Sequence, residues 1–212
     1  MRCFGLGSAE FAVGVDPARF GDDRTAIIRR RGRLAFGIET RKGLDTMAVA
    51  GLIGDIFNRE RPDRVFVDVG GLGAGIVDRL RELGYGNRLT AVNAGERATA
   101  DDRFLNKRAE CWSNLRDWLN EPPVQIPDSD TLHGDLTGPR YSYDSASRLK
   151  LERKEDMKRR GLRSPDEGDA LAMTFAHPVA AAAAQTAEDD KKRRADRDFC
   201  RRFNAPMVST MR

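Results

Sequence analysis

Cysteine and histidine are scarce in this 212-residue chain. The three cysteines, Cys3, Cys111 and Cys200, lie far apart and form no C-x-x-C pair. That spacing argues against a disulfide-stapled scaffold and a zinc knuckle, and it suits a reducing cytosol. The two histidines, His133 and His177, stand alone, so a histidine-based zinc site is not expected. His177, just before Pro178, reads as a helix end. No G-x-x-x-x-G-K-[ST] stretch occurs, which removes a P-loop. No apolar run approaches the roughly 18 residues of a membrane span. The opening MRCFGLGSAE lacks the apolar stretch of a secretory signal. Neither Ser8 nor any cysteine has a base nearby in sequence, so nucleophilic catalysis has no support.

Charge, by contrast, is abundant, at 33% of residues, and it nearly cancels to a net +4. So small a net charge says little about partners. Its distribution says more. Residues 138–163 carry nine basic and four acidic residues, and residues 188–212 carry eight and five. Between them, residues 164–187 carry three acids and no Lys or Arg. A basic segment therefore borders an acidic cluster. Arginine outnumbers lysine, 30 to seven. Its planar fork matches phosphate oxygens, although a GC-rich genome produces the same bias.

The apolar pattern predicts three strands at residues 11–16, 24–30 and 33–40, turning at Gly32. Asp45 is placed to cap a helix whose face is Val49, Leu52, Ile53, Ile56 and Phe57, stopped by Pro62. RVFVDV at 64–69 reads as a buried parallel strand. A glycine cluster, a helix at 76–83 and a strand at 89–93 follow. Helices are expected at 106–120 and 129–136, with a short strand at 124–126. A hairpin is expected at 140–143 and 148–152, then a basic helix at 154–160 and a last helix at 165–177. These elements make an α/β fold with a mixed sheet over residues 11–177. Residues 1–10 read as a leader. Residues 178–212, rich in charge and alanine, read as a mobile tail.

Three aspartates stand where elements end. Asp16 closes the first strand, Asp68 interrupts the apolar run VFVDVGG, and Asp169 lies in the first turns of the last helix. A buried carboxylate is costly unless it is paired, hydrogen-bonded or metal-bound. Sites in open α/β sheets form at the carboxyl ends of strands. Three such carboxylates suit two hard cations about 4 Å apart, the arrangement that cleaves phosphodiesters. Each aspartate alone also reads as a cap, a turn former or a surface charge. The last helix opens with Ser164 as N-cap, Pro165 at N1 and Glu167 as capping-box partner. Asp169 then lies too deep for capping, so a ligand role is expected. Asp22 and Asp23 sit one loop beyond Asp16 and read equally as metal neighbours or turn formers. Glycines 70–75 fail the dinucleotide pattern, since Ile76 takes the third glycine's place. Arg140, Arg148, Lys150, Arg153, Lys154 and Lys158 mark where a DNA backbone would lie, or a solvated charged face. Tyr141 and Tyr143 alternate with polar residues, and packing within the hairpin is favoured over base stacking.

Three stretches together, GVDPARFGDDRT, VFVDVGGLGAGIVDRL and KRRGLRSPDEGDALAMTFA, resemble the C-terminal nuclease domain of the large terminase subunit of tailed bacteriophages. The resemblance covers about residues 11–177. It implies a ribonuclease H-like fold, a mixed sheet of about five core strands flanked by helices, with an added hairpin. It implies an endonuclease that cuts concatemeric double-stranded viral DNA during packaging, using two Mg²⁺ or Mn²⁺ ions. By motif, Asp16, Asp68 and Asp169 would be the catalytic, metal-binding carboxylates, Asp22 or Asp23 an accessory acid, and Lys154 a residue facing the site. The implied partners are DNA, a terminase ATPase motor, a small terminase subunit and the portal and procapsid, in the cytoplasm of an infected bacterium. The family's ATPase motor motif does not occur in this chain, and the tail would suit portal docking. Three competitors remain. One is a sugar-kinase-like phosphotransferase, for which 170 residues leave little room. The others are a Holliday-junction resolvase and a non-catalytic DNA or portal adaptor.

Overall fold

The computed structural model describes residues 9–18 and 24–180. The expected leader up to residue 8, the loop with Asp22 and Asp23, and the tail from residue 181 lie outside the described residues. Three strands open the fold: β1 (Phe11–Asp16), β2 (Thr25–Arg31) and β3 (Leu34–Arg41). Helix α1 (Thr46–Arg59) follows, and Asp45 caps it by accepting from the Ala48 N–H at 2.7 Å. Then come β4 (Arg64–Asp68), α2 (Gly73–Glu82), β5 (Leu89–Val92) and α3 (Lys107–Asn120). The remaining elements are α4 (Asp130–Thr137), β6 (Tyr141–Tyr143), β7 (Leu149–Leu151), α5 (Lys154–Arg159) and α6 (Asp166–Met173).

Five strands form one mixed sheet in the order β3-β2-β1-β4-β5. The meander pairs antiparallel, while β1–β4 and β4–β5 pair parallel. The sheet is the five-stranded, helix-flanked arrangement expected of a ribonuclease H-like fold. Strand alternation sorts the core into two layers. Phe11, Val13 and Val15 of β1, with Val65 and Val67 of β4, pack under α1 and α2. Ala12 and Phe66 pack on the other face, under α3, α4 and α6. Asp16 and Asp68 continue that second phase, so both belong to the α3–α6 side. Strand register sets them level, since Val15 pairs with Val67 one residue earlier.

Gly14 explains how α6 comes close enough to matter. A Cβ at Gly14 would lie 1.8 Å from the Ala170 carbonyl oxygen. The helix backbone therefore rests directly on β1, and its Asp169 stands beside the strand's end. A second close approach sits at Gly73, whose Cβ would lie 1.6 Å from the Asp68 carbonyl oxygen. The glycine cluster thus lets α2 start against the end of β4. Gly14→Ala is expected to destabilise the protein by about 1–3 kcal/mol, because backbone must move to admit the methyl. Thermal unfolding would show it, and an unchanged midpoint would mean that α6 yields freely.

Three expectations need correction. Residues 124–126 form no strand; Gln125 makes only an isolated bridge to Leu34. The last helix ends at Met173, with turns through Ala176, rather than at His177. Ser164 is not its cap either. Pro165 occupies the N-cap position without a side-chain bond. The Glu167 and Gly168 N–H groups donate instead to Asp135 Oδ2, at 2.9 and 3.3 Å. The capping carboxylate comes from α4, and Arg163 pairs with it at 3.1 Å. Glu167 turns inward, where the Ser129 hydroxyl donates to it at 3.4 Å.

Candidate active site

The site forms where β1 and β4 end beneath the first turns of α6. Asp16 and Asp169 are each only 7% exposed. Lys154, the first residue of α5, joins them: its Nζ lies 3.1 Å from Asp16 Oδ2 and 3.0 Å from Asp169 Oδ2. Asp166 lies 3.8 Å from the same ammonium. Asp68 stands slightly apart, half-buried, with Oδ1 accepting from the Gly70 N–H at 2.8 Å. A narrow cleft lined by Asp68, Asp169, Lys154, Arg108 and Trp112 connects the two positions.

Asp169 is held more firmly than its neighbours. Arg108 Nε donates to its Oδ1 at 2.9 Å, and Nη2 to its Oδ2 at 3.4 Å. The Trp112 indole N–H also donates to Oδ1, at 2.7 Å. Arg108 reaches further, to the Glu152 carbonyl at 2.8 Å, which ties the end of the hairpin to the site. Sequence reasoning missed Arg108 and Trp112. Their spacing of four residues on α3 was the available signal. It puts a guanidinium one turn from a buried indole, where it needs an acidic partner.

The same burial acts on the three aspartates with different results. Burial pushes the Asp16 carboxyl up to about 7; the Lys154 charge opposes this, and Asp169, Asp68 and Asp166 add to it. Asp68 is also raised, by burial first, against the Gly70 hydrogen bond. Burial would raise Asp169 too, but Arg108, Lys154 and the Trp112 bond outweigh it and hold Asp169 at about 2. Lys154 is raised: burial opposes its charge, and Asp169, Asp16 and Asp166 outweigh burial. Cys111, behind the site, is pushed up to about 12 by burial, which leaves it a thiol rather than a nucleophile.

A pH dependence follows. The folded-state value for Asp16 lies above its unfolded value, so the folded protein holds the extra proton. Its stabilising contribution is present below about pH 4 and is lost as pH rises through 7. Asp169 acts oppositely, but its loss falls towards pH 2, outside that window. In chelator, the unfolding midpoint is expected to fall between pH 5 and pH 7.5. Asp16→Asn should flatten that fall, and an equally steep fall in the variant would assign it to other groups.

The donor set suits a divalent metal by its chemistry. Carboxylate oxygens are what hard cations take. Here a cation, the Lys154 ammonium, already lies between two of them. Among the described residues no three His, Cys, Asp or Glu side chains close on one point to hold an ion. The fit is therefore to carboxylates spread across the site rather than to a closed cage. Asp22, the expected accessory acid, lies outside the described residues.

The basic residues divide. Arg140, Lys150 and Arg153 are exposed on the hairpin and at the start of α5. Arg148 instead pairs with Asp144 at 2.7 Å. Lys158 lines a different hollow, with Arg24, Lys42 and Arg163, on the Asp166 side.

A mixed α/β sheet with acids at adjacent strand ends is the class that this geometry defines. The described part has, more particularly, the fold of the nuclease domain of phage large terminase subunits. It resembles the nuclease domain of the large terminase subunit gp2 of bacterial virus Sf6, with TM-score 0.70 and 22% identity, over 82% of this chain and 92% of that one. A lysine-to-alanine variant of that domain, solved with manganese and β-thujaplicinol, gives 0.69 and 22%, over 82% and 90%. The large terminase nuclease of thermophilic phage G20c with bound magnesium gives 0.60 and 17%, over 81% and 82%. No family model and no curated protein sequence matches the chain. Among the described residues no helix is long and apolar enough to cross a membrane.

Proposed function

We propose that this chain is a metal-dependent endonuclease that hydrolyses double-stranded DNA, cutting concatemeric viral genomes during packaging. The observation that carries the reading is the meeting of Asp16 and Asp169 around one cation, with Asp68 at the neighbouring strand end. Two relatives in fold were solved with manganese or magnesium, which supports the same ions here. Mg²⁺ or Mn²⁺, two ions in this reading, would supply an activated water and would stabilise charge on the attacking and leaving oxygens. Asp16, Asp68 and Asp169 would together hold the ions. Arg108 and Trp112 fix the Asp169 carboxylate, so its orientation is set before substrate arrives. Asp22, between β1 and β2 in the sequence, would be an accessory acid.

DNA would lie along the hairpin and α5, with Arg140, Lys150 and Arg153 against its phosphates and Lys158 further along. Arg148, committed to Asp144, would add less. The partners in this reading are a packaging ATPase motor, a small terminase subunit and a portal on the procapsid, in the infected cell's cytoplasm. The test is cleavage of supercoiled plasmid with Mn²⁺, Mg²⁺ or chelator, beside a four-way junction of matched length. Nicking and linearisation only with metal are expected. Strong preference for the junction would favour a resolvase, and binding without cleavage a non-catalytic adaptor.

A further inference from the structure

The hairpin carries a feature that phosphate binding leaves unused. Tyr141 and Tyr143 are 64% and 61% exposed, so they do not pack the hairpin as the alternation suggested. Their rings touch edge to face, with centroids 6.2 Å apart. Exposing two large rings forgoes the burial that usually holds aromatic side chains inside. The hairpin beneath them is anchored. Leu149 is buried, its carbonyl accepts from Leu105 and its N–H donates to Arg103, at 2.9 and 2.8 Å. The rings therefore stand on a fixed base.

Their surroundings are positive. The adjoining groove includes Arg140, Lys150 and Arg153, which form no ion pair among the described residues. The acids in the same groove are matched elsewhere: Asp144 by Arg148, Glu152 by Arg160 and Asp156 by Arg159. The site lies close by. Tyr141 pairs across the hairpin with Leu151, three residues before Lys154, which is about 10 Å of extended chain. A positive groove beside exposed ring faces is the combination that binds single-stranded nucleic acid. Bases inside a duplex are already stacked and offer these rings only edges. Bases that are unpaired, at a frayed end or in a melted stretch, offer faces.

Resting on the nuclease reading above, we propose that Tyr141 and Tyr143 form a stacking platform for unpaired DNA bases beside the cutting site. Arg140, Lys150 and Arg153 hold the flanking phosphates. The platform engages a strand already opened or cut, and it does so without sequence preference, since every base has a face.

The test measures binding in chelator to two DNAs. One is a closed dumbbell duplex without ends; the other is the same duplex with a single-stranded tail carrying 2-aminopurine. The Tyr141→Ala, Tyr143→Ala double variant is expected to lose about tenfold or more in affinity for the tailed DNA, and to bind the dumbbell within about twofold of wild type. Wild type should quench the 2-aminopurine, the double Phe variant should quench it too, and the double Ala variant should not. Equal losses on both DNAs, or no loss on the tail, would overturn the platform. Metal-dependent plasmid cleavage alongside such a result would leave the nuclease reading standing. Failure of wild type to bind the tailed DNA would also overturn the platform, and absence of metal-dependent plasmid cleavage would overturn the nuclease reading.

Discussion

Asp16→Asn is expected to lower metal-dependent DNA cleavage by about a thousandfold or more while the protein stays folded. The change keeps the shape of the side chain and removes its charge. Asp16 ends the central strand, is buried, and lies on the same ammonium as Asp169. Asp169, Asp68 and Asp166 all act on it. An amide oxygen can touch a hard dication but brings no negative charge, so it holds the ion and its activated water far less well. Folding should not suffer, because the ionised form of Asp16 is the one that burial opposes. At neutral pH in chelator, the variant should melt no lower than wild type. Plasmid cleavage and thermal unfolding measured together would separate the two effects. A folded variant cutting within tenfold of wild type would place the chemistry elsewhere.

The acids were legible because local pattern marks them. Asp16 and Asp68 each interrupt or end an apolar strand, and that alone gave their position on the chain. The pattern could not say that β1 and β4 are neighbours, since that depends on a crossover through two other strands and α1. Once the pairing is known, period-two alternation puts both side chains on the α6 face. Asp169 was read for a reason that held only in part. The helix does start just before it, but the expected Ser164 cap is absent, and Asp135 supplies the cap from 32 residues upstream of Glu167. Long-range side-chain partners leave little trace in local sequence. Arg108 is 61 residues from the carboxylate it holds, and no periodicity reports such a distance. The tyrosines failed for a different reason. Alternation distinguishes the two faces of a hairpin, but whether either face is covered depends on what lies over it.

Lys154→Ala is expected to reverse the usual sign of a removed ion pair where metal is concerned. The ammonium sits between Asp16 and Asp169, with Asp166 nearby. Among the described residues, Asp169 then keeps its pairing with Arg108. Breaking a largely buried pair by removing one partner is strongly destabilising. In chelator the unfolding midpoint should therefore fall by about 5–10 °C, allowing for the one-third exposure of Lys154. The same oxygens then have no resident cation to displace. Mn²⁺ should bind the variant more tightly, by about tenfold, and raise its midpoint further than it raises that of wild type. Titration calorimetry and thermal unfolding with and without Mn²⁺ give the two readouts. Weaker Mn²⁺ binding in a folded variant would mean that the ammonium helps to hold the ion rather than competing for its place. Conservative replacement separates charge from bulk: Lys154→Arg keeps the cation and should keep wild-type stability in chelator, whereas Lys154→Met keeps much of the stem and should melt like the alanine variant.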